Sequence, residues 1–146
     1  MNRGLFTSNR PDWETPPELI ADLEREFGPF DLDPACWPHT AKAPKFYTPE
    51  DNGLAQPWFG KVFLNPPYGR EISQWTAKAA EERARVEHII LLLPARTDTA
   101  WWHDHIIPNA SEIRFLRGRV KFLLDGESRM SAPFPSAVVV MRGRHV

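Results

Sequence analysis

The sequence predicts an α/β fold, a mostly parallel sheet with an antiparallel C-terminal edge. Three observations carry that expectation. Apolar runs alternate with amphipathic helical stretches as far as residue 107, the pattern of parallel strands joined by crossovers. The run His88 to Leu93 is almost wholly apolar, as a strand covered on both faces requires. After residue 111 the chain turns to strand-like segments punctuated by Gly118 and Asp125-Gly126, breaks that suit a hairpin.

In chain order, Met1 to Asp12 has no periodicity and reads as a flexible arm (1–12), followed by a single domain (13–146). Thr15-Pro16-Pro17-Glu18 predicts a helix start, with Thr15 as cap, Pro16 at the first helical position and Glu18 reaching back. Leu19, Ile20, Leu23 and Phe27 recur at helical spacing before Gly28-Pro29. Phe30-Asp31-Leu32 is a short strand stopped by Asp33-Pro34. Residues 36–60 are rich in proline and turn residues, an irregular stretch long enough to suggest function. Lys61 to Leu64 predicts a buried strand running into Asn65-Pro66-Pro67-Tyr68-Gly69. Glu71 to Arg85 predicts a helix with Ile72, Trp75 and Ala79 on one face. Thr99 to Ile107 predicts a short helix; Glu112 to Leu116, Arg119 to Leu124 and Ser136 to Met141 predict strands.

Composition narrows the function. With 146 residues, 42% hydrophobic and 25% charged, the chain suits one globular domain rather than a disordered or fibrous one. The one cysteine, Cys36, excludes an internal disulfide framework and a cysteine-rich zinc site. His103 and His105 have no further ligand cluster beside them, so no metal is expected. No apolar run reaches membrane-spanning length, and the first ten residues lack a signal-peptide stretch, so a cytoplasmic location is the default. The net charge of −1 hides an asymmetry. In the last third, Arg114, Arg117, Arg119, Lys121, Arg129, Arg142 and Arg144 face only Asp125 and Glu127. Such a surface attracts phosphates even when total charge is near zero.

The segment Asn65-Pro66-Pro67-Tyr68 carries the chemistry. It follows an apolar strand, so in an open α/β sheet it lies at a carboxyl end, where ligands bind. Pro66 and Pro67 have no N–H, which leaves carbonyls as unopposed acceptors. Asn65 adds a side-chain carbonyl and Tyr68 a flat ring. Together they suit a planar ligand with an exocyclic amino group: Asn65 Oδ1 and the Pro66 carbonyl accept its hydrogens while Tyr68 stacks on the ring.

Asn65-Pro66-Pro67-Tyr68 resembles the (Asp/Asn/Ser)-Pro-Pro-(Tyr/Phe/Trp) signature of amino-methyltransferases. Further pieces extend the likeness in one order: Trp13 to Leu19, Phe27 to Ala35, Phe46 to Leu54, Trp58, Leu93 to Thr99, Phe115 to Phe122 and Pro133-Phe134-Pro135-Ser136. The chain thereby resembles the phage-type DNA N-6-adenine-methyltransferase (Dam) family from Trp13 to about Val140. The resemblance implies an abbreviated Rossmann-like class I methyltransferase sheet, S-adenosylmethionine as methyl donor, and adenine N6 in DNA as acceptor. It implies that Asn65, Pro66, Pro67 and Tyr68 are catalytic and that Thr15 and Pro16 pack near the methionine end of the cofactor. Asp33, followed by Pro34, resembles the acidic cofactor contact. Asp31, two residues earlier, projects to the same face of an extended strand, so the contact falls to either. The Gly-x-Gly turn that usually follows is missing here; after Asp33-Pro34-Ala35-Cys36 no glycine comes until Gly53.

Arg96 stands beside the expected pocket, and Arg117, Arg119 and Lys121 alternate along a strand-like segment; these four are assigned to DNA. Trp101 and Trp102 are adjacent and cannot both face a helix core, so one is expected outside. Two other readings stay open. The same pocket suits cytosine N4 or a glutamine amide, and an inactive methyltransferase fold could bind nucleic acid through its basic strands. A chain this short has no separate target-recognition domain, which leaves either loose specificity or a second subunit, such as a homodimer partner.

Overall fold

The apolar run from residue 88 becomes the strand around which the rest is arranged. The computed structural model describes residues 14–124 and 128–143. The arm expected at 1–12, the Asp125-Gly126 turn and Arg144 lie outside them. The elements are α1 (Pro17–Phe27), β1 (Leu32–Asp33), β2 (Lys45–Phe46), β3 (Lys61–Leu64), α2 (Ile72–Glu82) and β4 (His88–Pro94). They continue with β5 (Glu112–Phe115), β6 (Lys121–Leu124), β7 (Ser128–Ser131) and β8 (Ser136–Arg142). A π-helical turn occupies Trp102–Ile106.

The main sheet has the order β2-β1-β3-β4-β8-β5. The β2-β1-β3-β4 run is parallel, and β8 lies antiparallel to both β4 and β5. The antiparallel pairings thus fall on one side of the sheet, with the reversed strand one place in from its edge. All of β4 is buried, as its composition demands. Side chains alternate along β5: Arg114 reaches Glu26 and the Phe27 ring of α1, whereas Phe115 lies on Trp102. That alternation places α1 on one face and the π-helical turn on the other.

Helix α1 buries Ile20, Leu23 and Phe27 at helical spacing. Each contributes roughly 1.5–3 kcal/mol by leaving water, and Leu23→Ala would cost about 2–5 kcal/mol. Its start differs from the expectation. Pro16 stands at the cap position with ψ 136°, Pro17 opens the helix, and no side chain caps it. Proline has no N–H, so one of the donors a cap would satisfy is missing. Thr15 is therefore free of capping, and Glu18 pairs with Arg129 instead of reaching back.

Other expectations also change. Strand β6 begins at Lys121 rather than Arg119, because Gly118 sits at φ +75° and breaks the extended chain. Arg117 and Arg119 are thus in a loop and do not share a strand face with Lys121. Strands β6 and β7 form a hairpin apart from the main sheet. Glu14 and Leu123 exchange backbone hydrogen bonds, which ties the hairpin to the approach to α1. Both Trp101 and Trp102 are buried, contrary to the expectation that one would be outside. The π-helical turn does not follow α-helical spacing, Trp102 is covered by Phe115, and Trp101 packs edge-on against Trp102.

Candidate active site

Parallel strands β1, β3 and β4 end on the same side of the sheet, and the residues just beyond them make the site. Register fixes the arrangement, with Leu32 opposite Val62 and Leu64 opposite Leu91. A cavity of about 310 Å³ opens there, within the range of small-molecule sites. Asp33 and Pro34 from the end of β1, Thr15, and the whole of Asn65-Pro66-Pro67-Tyr68 line it.

The Asn65 side chain is held at both ends. Its Nδ2 donates to Thr15 Oγ1 at 3.1 Å, and Tyr68 Oη donates to Asn65 Oδ1 at 2.7 Å. The Tyr68 hydroxyl also lies 3.3 Å from the Leu92 carbonyl. These contacts fix which way the amide points. A carbonyl oxygen has two lone pairs, so Asn65 Oδ1 retains one for a ligand. The Pro66 carbonyl accepts no hydrogen bond from any described residue. Burial pushes the Tyr68 hydroxyl well above the usual phenol range, so it stays a donor.

Tyr68 is more enclosed than an open stacking ring. Phe122 and Phe134 pack edge-on against it at 6.2 and 5.5 Å. A second cavity, of about 390 Å³, shares Tyr68 with the first. Its walls include Arg96, Trp101 and Phe134, with the Arg96 guanidinium 5.6 Å from the Phe134 ring centroid.

Asp33 is fully buried against the first cavity. Its Oδ2 accepts from the Lys42 backbone N–H at 3.0 Å and its Oδ1 from the Ala35 N–H at 3.3 Å. Desolvation nevertheless dominates and pushes the carboxyl up to about 7. Asp31 does not share this position. Its carboxylate accepts from the Lys61 N–H at 2.8 Å, and it is not part of the cavity wall. The reason is that regular pairing of β1 begins only at Leu32, so the two-residue alternation does not extend back to Asp31. Pro16, at the start of α1, is also outside the wall.

Several wall residues escaped sequence reasoning. Asn52 and Gly53 come from the irregular stretch; Asn52 adopts a left-handed conformation (φ 57°). A Cβ on Gly53 would stand 2.1 Å from the Pro34 carbonyl oxygen, so only glycine permits that approach. Trp58 pins the segment by donating its indole N–H to the Gly53 carbonyl at 2.9 Å. The Asn-Gly dipeptide was the available signal, since it marks a turn. Glu14 and Lys42 also line the cavity and form an ion pair with each other. Trp75 lines it too, and its buried indole N–H has no partner among the described residues.

Away from the cavities, Arg117, Arg119 and Lys121 are exposed. None forms an ion pair among the described residues. Three other members of the expected cationic surface are paired: Arg114 with Glu26 and Glu112, Arg129 with Glu18, and Arg142 with Glu112. His103 and His105 turn to different partners, the Thr97 carbonyl and the Thr76 hydroxyl.

Comparison with known proteins bears on this arrangement. The chain is 39% identical over 127 residues to the DNA N-6-adenine-methyltransferase of Escherichia phage T1, covering 82% of this chain and 52% of that protein. It is 29% identical over 119 residues to the DNA N-6-adenine-methyltransferase of Haemophilus phage HP1 (strain HP1c1), covering 80% of this chain and 68% of that protein. The chain therefore spans about half the length of the first relative and about two thirds of the second. A family model matches residues 4–144, which takes in both cavities and the hairpin beside them. On that match the chain belongs to the DNA N-6-adenine-methyltransferase (Dam) family.

Proposed function

We propose that this chain transfers a methyl group from S-adenosylmethionine to the N6 amine of adenine in DNA. The observation that carries the reading is the Asn65 amide, clamped between Thr15 and Tyr68 with a spare acceptor lone pair beside a Pro66 carbonyl that has no partner among the described residues. Family membership supports the same chemistry. The sheet order supports a Rossmann-like methyltransferase architecture, with a parallel run, a reversed β8 inserted next to β4, and ligand sites at the carboxyl ends.

The first cavity fits the cofactor on three counts: the close approach of Gly53 to Pro34, the spare indole donor of Trp75, and the buried Asp33 carboxyl. Asp33, Thr15, Pro34 and Asn52-Gly53 would hold it. Bound there, S-adenosylmethionine would supply a methyl group on a cationic sulfur, whose C–S bond breaks as the amine attacks the methyl carbon and leaves the sulfur as a neutral thioether. A neighbouring positive charge favours the ionised form of Asp33, so a carboxyl that is costly to ionise in the empty cavity becomes a counter-charge in the filled one.

The adenine, which has to leave the duplex, lies with its ring toward the second cavity and its N6 edge at Asn65 and Pro66, which line the first cavity next to Tyr68, the residue common to both. The N6 lone pair is delocalised into the purine ring and is a poor nucleophile. Hydrogen bonds from N6 to Asn65 Oδ1 and the Pro66 carbonyl orient both hydrogens and favour the pyramidal amine that appears as the new N–C bond forms, after which one of the two protons is lost to water. That is stabilisation specific to the transition state. Tyr68 acts through Asn65 by fixing its amide, and it lines both cavities. Arg96, above Phe134, is placed to hold the target nucleotide.

Incubating the purified protein with methyl-labelled S-adenosylmethionine and oligonucleotides with or without adenine tests this. Label on N6 of adenine is expected. Absence of label from both DNAs, together with absence of cofactor binding, overturns the reading.

A further inference from the structure

The edge of the sheet next to the second cavity carries an aromatic ring that the reaction as described does not use. Phe115, the last residue of β5, is 63% exposed, the most exposed large hydrophobic among the described residues. Its ring lies nearly parallel to Trp102, with centroids 6.3 Å apart and planes at 26°. Trp102 is 2% exposed and gives the ring a rigid backing. Strand β5 is last in the sheet order, so among the described residues no strand lies beyond it.

Position and charge say what could cover this ring. Phe115 pairs with Ala137, the Leu116 N–H bonds the Ser136 carbonyl, and Ser136 pairs with Pro94, which lines the second cavity. The backbone of Phe115 is thus two strand spacings, roughly 10 Å, from the strand that carries Pro94. Immediately after it come Arg117, Arg119 and Lys121, exposed and without an ion pair among the described residues. Gly118 turns this loop into open space, with nothing near its position. An aromatic face beside unneutralised cations is the arrangement that takes a nucleobase by stacking and its phosphates by charge.

We propose that Phe115, backed by Trp102, is a stacking platform for an unpaired nucleobase adjoining the target adenine, with Arg117, Arg119 and Lys121 on the flanking phosphates. This rests on the DNA reading above and sharpens it: the substrate is a locally unpaired strand that touches the protein through two bases.

The test measures binding of a single-stranded, adenine-bearing oligodeoxynucleotide to the wild-type chain and to Phe115→Ala, Phe115→Leu and Phe115→Trp. A parallel series carries one abasic site at successive positions around the target. Loss of one stacked base typically weakens binding by about tenfold. We expect that loss for Phe115→Ala and Phe115→Leu and none for Phe115→Trp, with cofactor affinity unchanged in all three. One abasic position should reproduce the loss in the wild type and add nothing further in Phe115→Ala. Wild-type affinity in Phe115→Leu overturns the platform, because an apolar cover for Trp102 would then suffice. Additive losses at every abasic position overturn it as well. If the wild type binds and methylates DNA while Phe115→Ala matches it, the platform alone falls; if the wild type binds no DNA, the reading beneath it falls too.

Discussion

Arg114 and Arg117 stand three residues apart and meet opposite fates. Arg114 is on β5, where its side chain reaches across to α1 and joins Glu26, a residue distant in sequence, while also pairing with Glu112. Arg117 is in the loop beyond, exposed and without an ion pair among the described residues. In the sequence both belong to one basic cluster. Among the described residues, folding supplies ion-pair partners to the strand and none to the loop, so the charge left for a polyanion is smaller and more localised than a count suggests. The same contrast separates the two functional regions. At Asn65 the amide is already oriented by internal hydrogen bonds; at the 116–121 loop the backbone is tied to β7 and β8, but the cationic side chains have no ion pair among the described residues.

The sharpest way to break the comparison is at its rigid end. Asn65→Ala removes an acceptor aimed at the reacting amine, and we expect methyl transfer to fall by about 10²–10³-fold or more. Cofactor affinity measured by calorimetry should hold, since those contacts matter mainly in the transition state. A proportional loss of cofactor binding would place Asn65 in the donor site instead.

At the open end, neutralising Arg117, Arg119 and Lys121 together to Gln should weaken DNA binding and flatten its salt dependence. Each lost phosphate contact lowers the slope of log K against log salt by about 0.7–0.9. An unaltered slope would remove the loop from the interface.

A smaller effect comes from pH. Asp33 has its carboxyl pushed up to about 7, and the proposed role needs the ionised form. Cofactor affinity should therefore drop by up to about tenfold per pH unit below 7 and level off above it. In the cofactor-free protein the sign is reversed for stability. The unfolded chain ionises this carboxyl near 3.8 and the folded chain near 7, so its contribution falls as pH rises between those values. His88, held below its ordinary value by burial, works in the opposite sense below 6.5. Titrating cofactor affinity, rather than melting temperature, isolates Asp33.

The smallest effect is the control: Arg114→Gln should leave the salt slope of DNA binding untouched. A slope that changes as much as for Arg117 would erase the distinction between paired and unpaired arginines.

What the sequence disclosed follows the range of the forces involved. Strand β3 falls on Lys61–Leu64 as read, and β4 extends the expected run by one residue, because continuous apolar character is local information. Strand β7 was invisible: Ser128-Arg129-Met130-Ser131 has a single apolar residue and is a strand only because β6 pairs with it. At the site, the Asn-Pro-Pro-Tyr turn was legible as a set of acceptors. The use of the Tyr68 hydroxyl to orient Asn65 was not, since it shows only when the turn is folded. The role of Thr15 is longer-ranged still. Its partner lies 50 residues away, and the same side chain is an equally good helix cap until the geometry of two prolines decides otherwise.

The insertion of β8 between β4 and β5 has a consequence for how the chain reaches its working form. Two strands that come earlier in the chain cannot be joined through the sheet until a later one slides between them and zips both seams. Such long-range closure is slow compared with forming the helices. Until it happens, the second cavity lacks the segment that carries Phe134, so the ability to seat a base should be among the last properties acquired during refolding, after the donor pocket has taken shape.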